Sequence, residues 1–488
     1  MSDNLKSRAA SGVIWSGIHK LASAMLGLVS SIVLARLLTP YDYGIIGMLA
    51  IFMAISNTFI DGGFGAALIQ KKNPTDADYS TILYWNVGLS IVLYVLLFAC
   101  APLIAAFYNL PLLSEVLRIQ GVVLIINAAR IVQHNQLRKH LEFKKVAIIN
   151  LSSSIVSLIF TIYLAWRGWG VWALVAQQIM VGTLCTIQYW ILAKWHPIKV
   201  FSLASFKELF NFGGFILLSN LINTFFNNIQ GLLIGKFYSS TTLGYYSKAR
   251  DTEAYASTFI SSVLDQVSFP VLAEAKDDRN RMISILKAFV KTSAFVTFPI
   301  MFLLILLAKP LFLLLYSDRW LASVSYFQLL CIAGIAVCLQ SINYYAIASI
   351  GKSKLLFKWT IIKRIIGLVL VIGGLLLGGI YGLLIGSVVT SWTIYVINAY
   401  LVSKYLGYSG RQQFLDLLPI IIVSGVSFVI PLLISKMTSF DGYIEGLMCF
   451  SVYVILYLSL SLMLKMDALI LTQEMFCKII NRFTKKCV

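Results

Sequence analysis

Charge is what this sequence has least of. Only 12% of its 488 residues are Asp, Glu, Lys or Arg, about half the share of an ordinary soluble domain. Acidic residues are scarcest, 20 against 39 Lys and Arg. The four histidines, His19, His134, His140 and His196, have no metal-ligand spacing, so no metal site is expected. There is no Gly-rich P-loop, HExxH or Ser-His-Asp arrangement. The acids assigned to outer loops, chiefly Asp42, Asp318 and Asp441, each stand alone. A membrane glycan polymerase or ligase needs acids presented to water on sizeable outer loops, so an enzyme is not expected. The seven cysteines form no CxxC and read as packing residues and free thiols. The polar N-terminus, MSDNLKSRAASG, is followed by no short apolar core with a cleavage site, so the first helix is expected to stay as an anchor.

What is present is apolar. Hydrophobic residues make up 59% of the chain, in about fourteen runs each long enough to cross a bilayer. The fold class is therefore an all-α polytopic membrane protein with about fourteen transmembrane helices. Lys and Arg concentrate in alternate loops, for example at Lys71, Lys72, Arg138, Lys139, Lys194 and Lys199. The other loops hold only Arg167, Lys236, Lys309, Arg319 and Lys436, besides Arg36 at a helix end. Read by the positive-inside rule, the net charge of +19 reports topology rather than nucleic acid. Both termini are then cytoplasmic and the number of spans is even: fourteen, or twelve with two re-entrant or surface helices.

Shifting the chain by 200 lays Ile32–Thr39 over Leu232–Ser239, Gly44 over Gly244, and Thr58-Phe59-Ile60 over Thr258-Phe259-Ile260. This internal repeat predicts two six-helix lobes of equal orientation, 1–200 and 201–405. Two additional helices over 406–465 and a basic cytoplasmic tail over 466–488 complete the expected organisation.

The polar residues lie in particular runs. His19, Lys20, Arg36 and Asp61 sit within or at the edge of the first hairpin. An ionisable group at mid-depth costs roughly 2.5–3.5 kcal/mol, which is tolerable where it faces water, and so a hydrated internal path is expected. Glu115 and Arg118 are i,i+3 neighbours able to pair. Asn220, Asn223 and Asn227 share one helix face. Lys248, Arg250, Asp251, Glu253 and Asp265 make the run 241–272 the most charged. Five such charges facing lipid would cost roughly 12–17 kcal/mol. They therefore either face inward or, for Lys248 to Glu253, sit at headgroup level. Asp61, Arg130 and Asp265 fit a cytoplasmic helix end as well as a cavity. Lys363 and Arg364 read as snorkelling residues. Gly378, Gly382 and Gly386 read as a close-packing face. Gly62, Gly63, Gly213 and Gly214 read as helix breaks or hinges.

Three motifs carry a resemblance. They are LARLLTPYDYGIIGM in the first hairpin, Val267-Ser-Phe-Pro270, and Phe298 to Trp320 (FPIMFLLILLAKPLFLLLYSDRW). Together they resemble the Wzx-type polysaccharide transporters of the multidrug/oligosaccharidyl-lipid/polysaccharide exporter superfamily, most like the branch serving exopolysaccharide or colanic-acid-like units. One departure is Asp318, in YSDRW where relatives have YGxxW, which leaves the outer turn's geometry open.

The resemblance implies a flippase with two six-helix lobes around a central cavity, in the bacterial cytoplasmic membrane. Its substrate would be an undecaprenyl-diphosphate-linked oligosaccharide, moved by alternating access for surface-polysaccharide synthesis. Moving that group through hydrocarbon requires cations for the diphosphate and amides or aromatics for the sugars. Lys20, Arg118, Arg130, Lys248 and Arg250 are the candidate diphosphate ligands. Asn220, Asn223, Asn227, Tyr344 and Tyr345 are the candidate sugar contacts. Asp61, Asp251, Glu253 and Asp265 either couple transport to H⁺ or Na⁺ or balance neighbouring cations. No other cofactor is expected. Expected partners are the lipid-linked substrate and membrane lipids, with a polysaccharide polymerase and glycosyltransferases alongside, around a monomer. The alternative readings are a drug/cation antiporter of the same superfamily, with an acidic, aromatic cavity, and the glycan polymerase or ligase already weighed.

Overall fold

The structure is a computed structural model that describes residues 2–437 and 442–469; the side chains at 2–11, 13–14, 263–267, 353 and 442 lie outside that description. Of the tail expected over 466–488 the part from 470 onward falls outside it, as do Asp441 and the Asp265 side chain. All regular structure among the described residues is helical, as hydrocarbon demands of a chain whose backbone groups must pair within each segment. The chain divides into two compact units, Met1–Ser247 and Lys248–Val488, and the division falls inside one helix.

The first unit holds α1 (Ser2–Leu37), α2 (Pro40–Asp61), α3 (Phe64–Gln70) and α4 (Asp76–Tyr108). The next span is broken into α5 (Leu112–Gln120), α6 (Val122–Ala128) and α7 (Ile131–Lys139). Then come α8 (Phe143–Trp166), α9 (Val171–Ala193), α10 (Leu203–Phe237) and the start of α11 (Ser240–Glu274). Thr39 caps α2 with a full capping box, its hydroxyl and Asp42 satisfying each other's backbone N–H groups. Two hundred residues on, Ser239 accepts from the Thr242 N–H at 3.1 Å and begins α11 in the same way.

Those two helix starts meet backbone to backbone. A β-carbon on Gly44 would land on the Ser240 carbonyl, and one on Gly244 would land on the Pro40 carbonyl. The contact is reciprocal under the 200-residue shift, which is the relation a two-fold repeat imposes on residues at its axis. At the other end of α2, Gly62 (φ 56) and Gly63 (φ 70) break the helix in left-handed backbone. Gly63 there packs on the Gly213 backbone of α10. Phe64 then enters a core with Tyr79, Ile82, Val132 and Leu209.

The second unit continues α11 into α12 (Arg279–Leu306), α13 (Ala308–Tyr316), α14 (Ser323–Ser349), α15 (Ser353–Leu406), α16 (Gly410–Met437) and α17 (Gly442–Met463). The helix α15 is a hairpin, reversed at Gly378 (φ −136) and Gly379 (φ 60). Its arms touch through Gly374 on Gly382 and Gly386 on the Leu370 carbonyl. Gly382 and Gly386 thus do the expected close packing, whereas Gly378 is the reversal itself and faces open space. In the turn after α13 the positive-φ backbone falls on Ser317 (φ 87), and Asp318 opens a short 3₁₀ turn. Laid over YSDRW, YGxxW puts its glycine on Ser317, so the departure lies at Ser317 and not at Asp318, and the glycine-like conformation is kept there.

Among the described residues twelve helices are long and apolar enough to cross a membrane. The expected fourteen is not met by that measure for two reasons. The two arms of α15 count once, and α11, rich in charged and hydroxyl side chains, is not among the twelve.

Gly44→Val and Gly244→Val should each destabilise the protein by about 3 kcal/mol, the upper end of overpacking costs, since backbone rather than a side chain must yield. Thermal unfolding in detergent measures this; an unchanged melting curve for both variants would show that the crossing is loose.

Candidate functional site

Between α2 and α10 the first unit has a polar cleft of about 340 Å³. Its walls are Asn57, Thr58 and Asp61 from α2, and Asn220, Asn223, Thr224 and Asn227 from α10. Helical spacing puts 57, 58 and 61 on one face and 220, 223, 224 and 227 on the other. The two walls touch where Thr58 and Thr224 share a hydrogen bond of 3.0 Å between their hydroxyl oxygens. Thr58 also donates to the Ala54 carbonyl at 2.8 Å, and Asn57 Nδ2 to the Met53 carbonyl at 2.8 Å. Those bonds turn the α2 donors back on their own helix and leave the Asn57 amide oxygen facing the cleft. Asp61, Asn220 and Asn227 are exposed. The cation whose field reaches Asp61 is Arg138, at the end of α7.

The cleft thus brings Asn220, Asn223, Asn227 and Asp61 together as one group. Thr58 and Thr224 also line it and were missed, as was Arg138, which acts on Asp61 from outside the cleft wall. Thr224 was findable, because it sits four residues after Asn220 on the same face. Arg138 was read only as a positive-inside loop charge.

The other predicted residues lie elsewhere. Lys20 is exposed on α1, and Arg130 is half-buried at the break before α7. Arg118 does not pair with Glu115. Its guanidinium lies 4.6 Å from the Phe98 ring centroid and its Nε donates to the Phe98 carbonyl at 3.5 Å. A flat cation over an aromatic face is the cheaper arrangement where no carboxylate is held nearby.

In the second unit Lys248 is 1% exposed, with its ammonium 5.0 Å from the Tyr316 ring and 5.3 Å from the Trp320 ring. Thr252 donates to the Lys248 carbonyl at 2.7 Å and its hydroxyl lies 3.0 Å from that of Tyr316. Lys248 is buried between aromatic rings. Lys248 and Asp251, and likewise Arg250 and Glu253, are three residues apart on α11 and attract one another. Glu253 Oε1 is buried without a hydrogen bond, close against Gly334. Tyr344 is exposed and Tyr345 packs on Phe269 at 5.8 Å. Lys363, read as snorkelling, is instead 6% exposed and donates to Asn398 Oδ1 at 2.6 Å. Asn398 can hold it because the α15 hairpin folds one arm onto the other.

Below the cleft, Lys71 links α4 to α10, binding Asp78 at 3.0 Å and Glu208 at 2.9 Å. Burial opposes the Lys71 charge, but hydrogen bonds to Glu208 and Asp78 outweigh it and hold its pKa above the ordinary lysine range.

A double-mutant cycle on Thr58→Val and Thr224→Val should give a coupling energy of about 1 kcal/mol in unfolding stability, the net worth of one hydroxyl hydrogen bond. Strict additivity would mean that the two walls of the cleft do not touch.

Comparison with known proteins places this architecture. The family model described as polysaccharide biosynthesis protein matches residues 33–325, more than half of the chain. The chain is 28% identical over 351 residues to the teichuronic acid biosynthesis protein TuaB of Bacillus subtilis (strain 168), covering 72% of this chain and 73% of that one. It is 24% identical over 444 residues to the lipopolysaccharide biosynthesis protein WzxC of Escherichia coli (strain K12), covering 86% and 88%. In structure it is similar to the lipid II flippase MurJ in an inward closed conformation, with a TM-score of 0.74 at 16% identity over 94% of this chain and 100% of that one. The chain is a multi-pass membrane protein with a transporter fold, and it belongs to the polysaccharide biosynthesis protein family.

Proposed function

We infer that this chain is a flippase, not an enzyme. It moves a polyprenyl-diphosphate-linked oligosaccharide across the bacterial cytoplasmic membrane by alternating access, for assembly of a surface or exported polysaccharide. The observation that carries this reading is the cleft between α2 and α10, where amides and hydroxyls line a cavity in a chain that is otherwise apolar. Sugar hydroxyls leaving water need such replacement partners, because each polar group buried without one costs several kcal/mol (~2–7). The fold it shares with a lipid II flippase, and relatives named for teichuronic acid and lipopolysaccharide synthesis, support the same substrate class. A drug antiporter needs an acidic, aromatic cavity; this cleft has one carboxylate and no aromatic wall.

Within this reading Asn220, Asn223 and Asn227, with Asn57, Thr58 and Thr224, bind sugars. Lys20, Arg130 and Arg138 serve the diphosphate in the first unit, and Arg250 serves anions in the second. Asp61, Asp251 and Glu253 are the groups for H⁺ or Na⁺ coupling. Both termini lie in the cytoplasm, the protein acts as a monomer, and a polymerase and glycosyltransferases work beside it.

Reconstituted in vesicles with a polyprenyl-diphosphate oligosaccharide, the wild type should expose the substrate's sugars to the opposite leaflet. Asn220→Leu/Asn223→Leu should slow this at least tenfold, as loss of two hydrogen bonds to substrate at about 1 kcal/mol each predicts. A wild-type rate with a normal melting curve would remove the cleft from the transport path. Asp61→Asn should abolish acceleration by an imposed H⁺ or Na⁺ gradient while leaving downhill movement measurable. Retained gradient dependence would assign coupling to another carboxylate.

A further inference from the structure

A second cavity in the first unit, of about 600 Å³, shares none of the cleft's residues. It lies where three connections meet, 71–75, 140–142 and 194–202, at the helix ends that the Lys and Arg distribution assigns to the cytoplasm. Its wall contains Lys72, Lys139, Lys145 and Lys194, with His140 beside them.

Two acids in the wall each have a partner. Glu142 pairs with Lys145 at 2.5 Å, and Asp76 accepts from the Trp195 indole N–H at 3.0 Å. Lys139 is committed too, closing the end of α3 by donating to the carbonyls of Leu68, Ile69 and Lys71. Lys72 and Lys194 are exposed, and among the described residues neither hydrogen-bonds to, nor pairs with, another side chain. Lys194 ends α9 in left-handed backbone (φ 54), which sets it on the cavity rim instead of continuing the helix.

Apolar surface adjoins this cavity. Three and seven residues before Lys194, and so on its face of α9, Ile191 and Ile187 are 67% and 50% exposed. On the chain leaving the cavity, Val200, Phe201 and Leu203 are exposed as well. We propose that this cavity binds the phosphate headgroup of an anionic phospholipid of the inner leaflet, with Lys72 and Lys194 as the cations that hold it. The acyl chains lie along Ile187 and Ile191. The apolar flank decides for a lipid over a soluble phosphate, because a free anion gains nothing from it. The fit is that of a basic pocket between helix ends on the cytoplasmic side.

Amine acylation of the purified full-length chain in neutral detergent tests the site without any substitution. Phosphatidylglycerol should protect Lys72 and Lys194 but not Lys309, while phosphatidylcholine at the same concentration should protect neither. Equal protection by both lipids, or by neither, overturns the proposal. Equal protection by inorganic pyrophosphate also overturns it, since the site would then take a free phosphate. In native mass spectrometry the wild type should hold phosphatidylglycerol about thirtyfold more tightly than K72Q/K194Q, the loss expected for two lysines at a membrane surface. Equal binding by a variant with a normal melting curve is the contrary result.

Discussion

Backbone contact holds α2 at both of its ends, and the first unit depends on it. Gly44 meets the Ser240 carbonyl at the start of the helix and Gly63 meets the Gly213 backbone just beyond its end. Contacts of that kind permit no side chain between the two backbones, as in other close helix approaches inside membranes. Between the two pinned ends the facing walls of α2 and α10 are free to carry polar groups. Association of the helices does not then rest on those side chains being packed dry. The Thr58–Thr224 hydrogen bond bridges the cleft directly.

The choice of polar groups follows from the cost of burial. Amides and hydroxyls can satisfy part of their own bonding on the helix that bears them, as Asn57, Thr58 and Asn228 do through carbonyls four residues back. A full charge has no such local remedy, and the buried cations of this chain show what it needs instead. Lys248 has two aromatic rings and Lys363 has an amide oxygen delivered by a helical hairpin. The buried lysines are thus placed where tertiary structure supplies a partner, while the open cleft is lined by uncharged polar groups and the single carboxylate of Asp61.

Much of this was legible in the residues. The 200-residue shift that laid Gly44 over Gly244 identified two positions with one physical role, because a glycine at a repeat axis is demanded twice. The asparagine face of α10 followed from spacing alone. Partners across the fold were less accessible. Arg118 had a carboxylate three residues away and a ring twenty residues away, and only the packing of α4 on α5 decides between them. Gly62, Gly63 and Gly213 each read as local breaks, yet they are two sides of one contact. The charges of α11 could be assigned a cost but not a surrounding, since Tyr316 and Trp320 come more than sixty residues after Lys248. The fourteen apolar runs and the twelve long apolar helices differ at a two-glycine reversal and at a charged helix, which hydropathy and helix length weigh differently.

The reversal at Gly378 and Gly379 bears on how the protein is made. No stretch of polar chain separates the arms of α15, so neither arm has a loop to leave in water while it waits for the other. The glycine face at 367–374 of the first arm meets the second arm across a turn of two residues. A hairpin that closes so tightly is suited to entering the bilayer as one unit. The Asn398 oxygen that accepts from Lys363 belongs to that same unit, so the partner of the buried charge is carried on the adjoining arm.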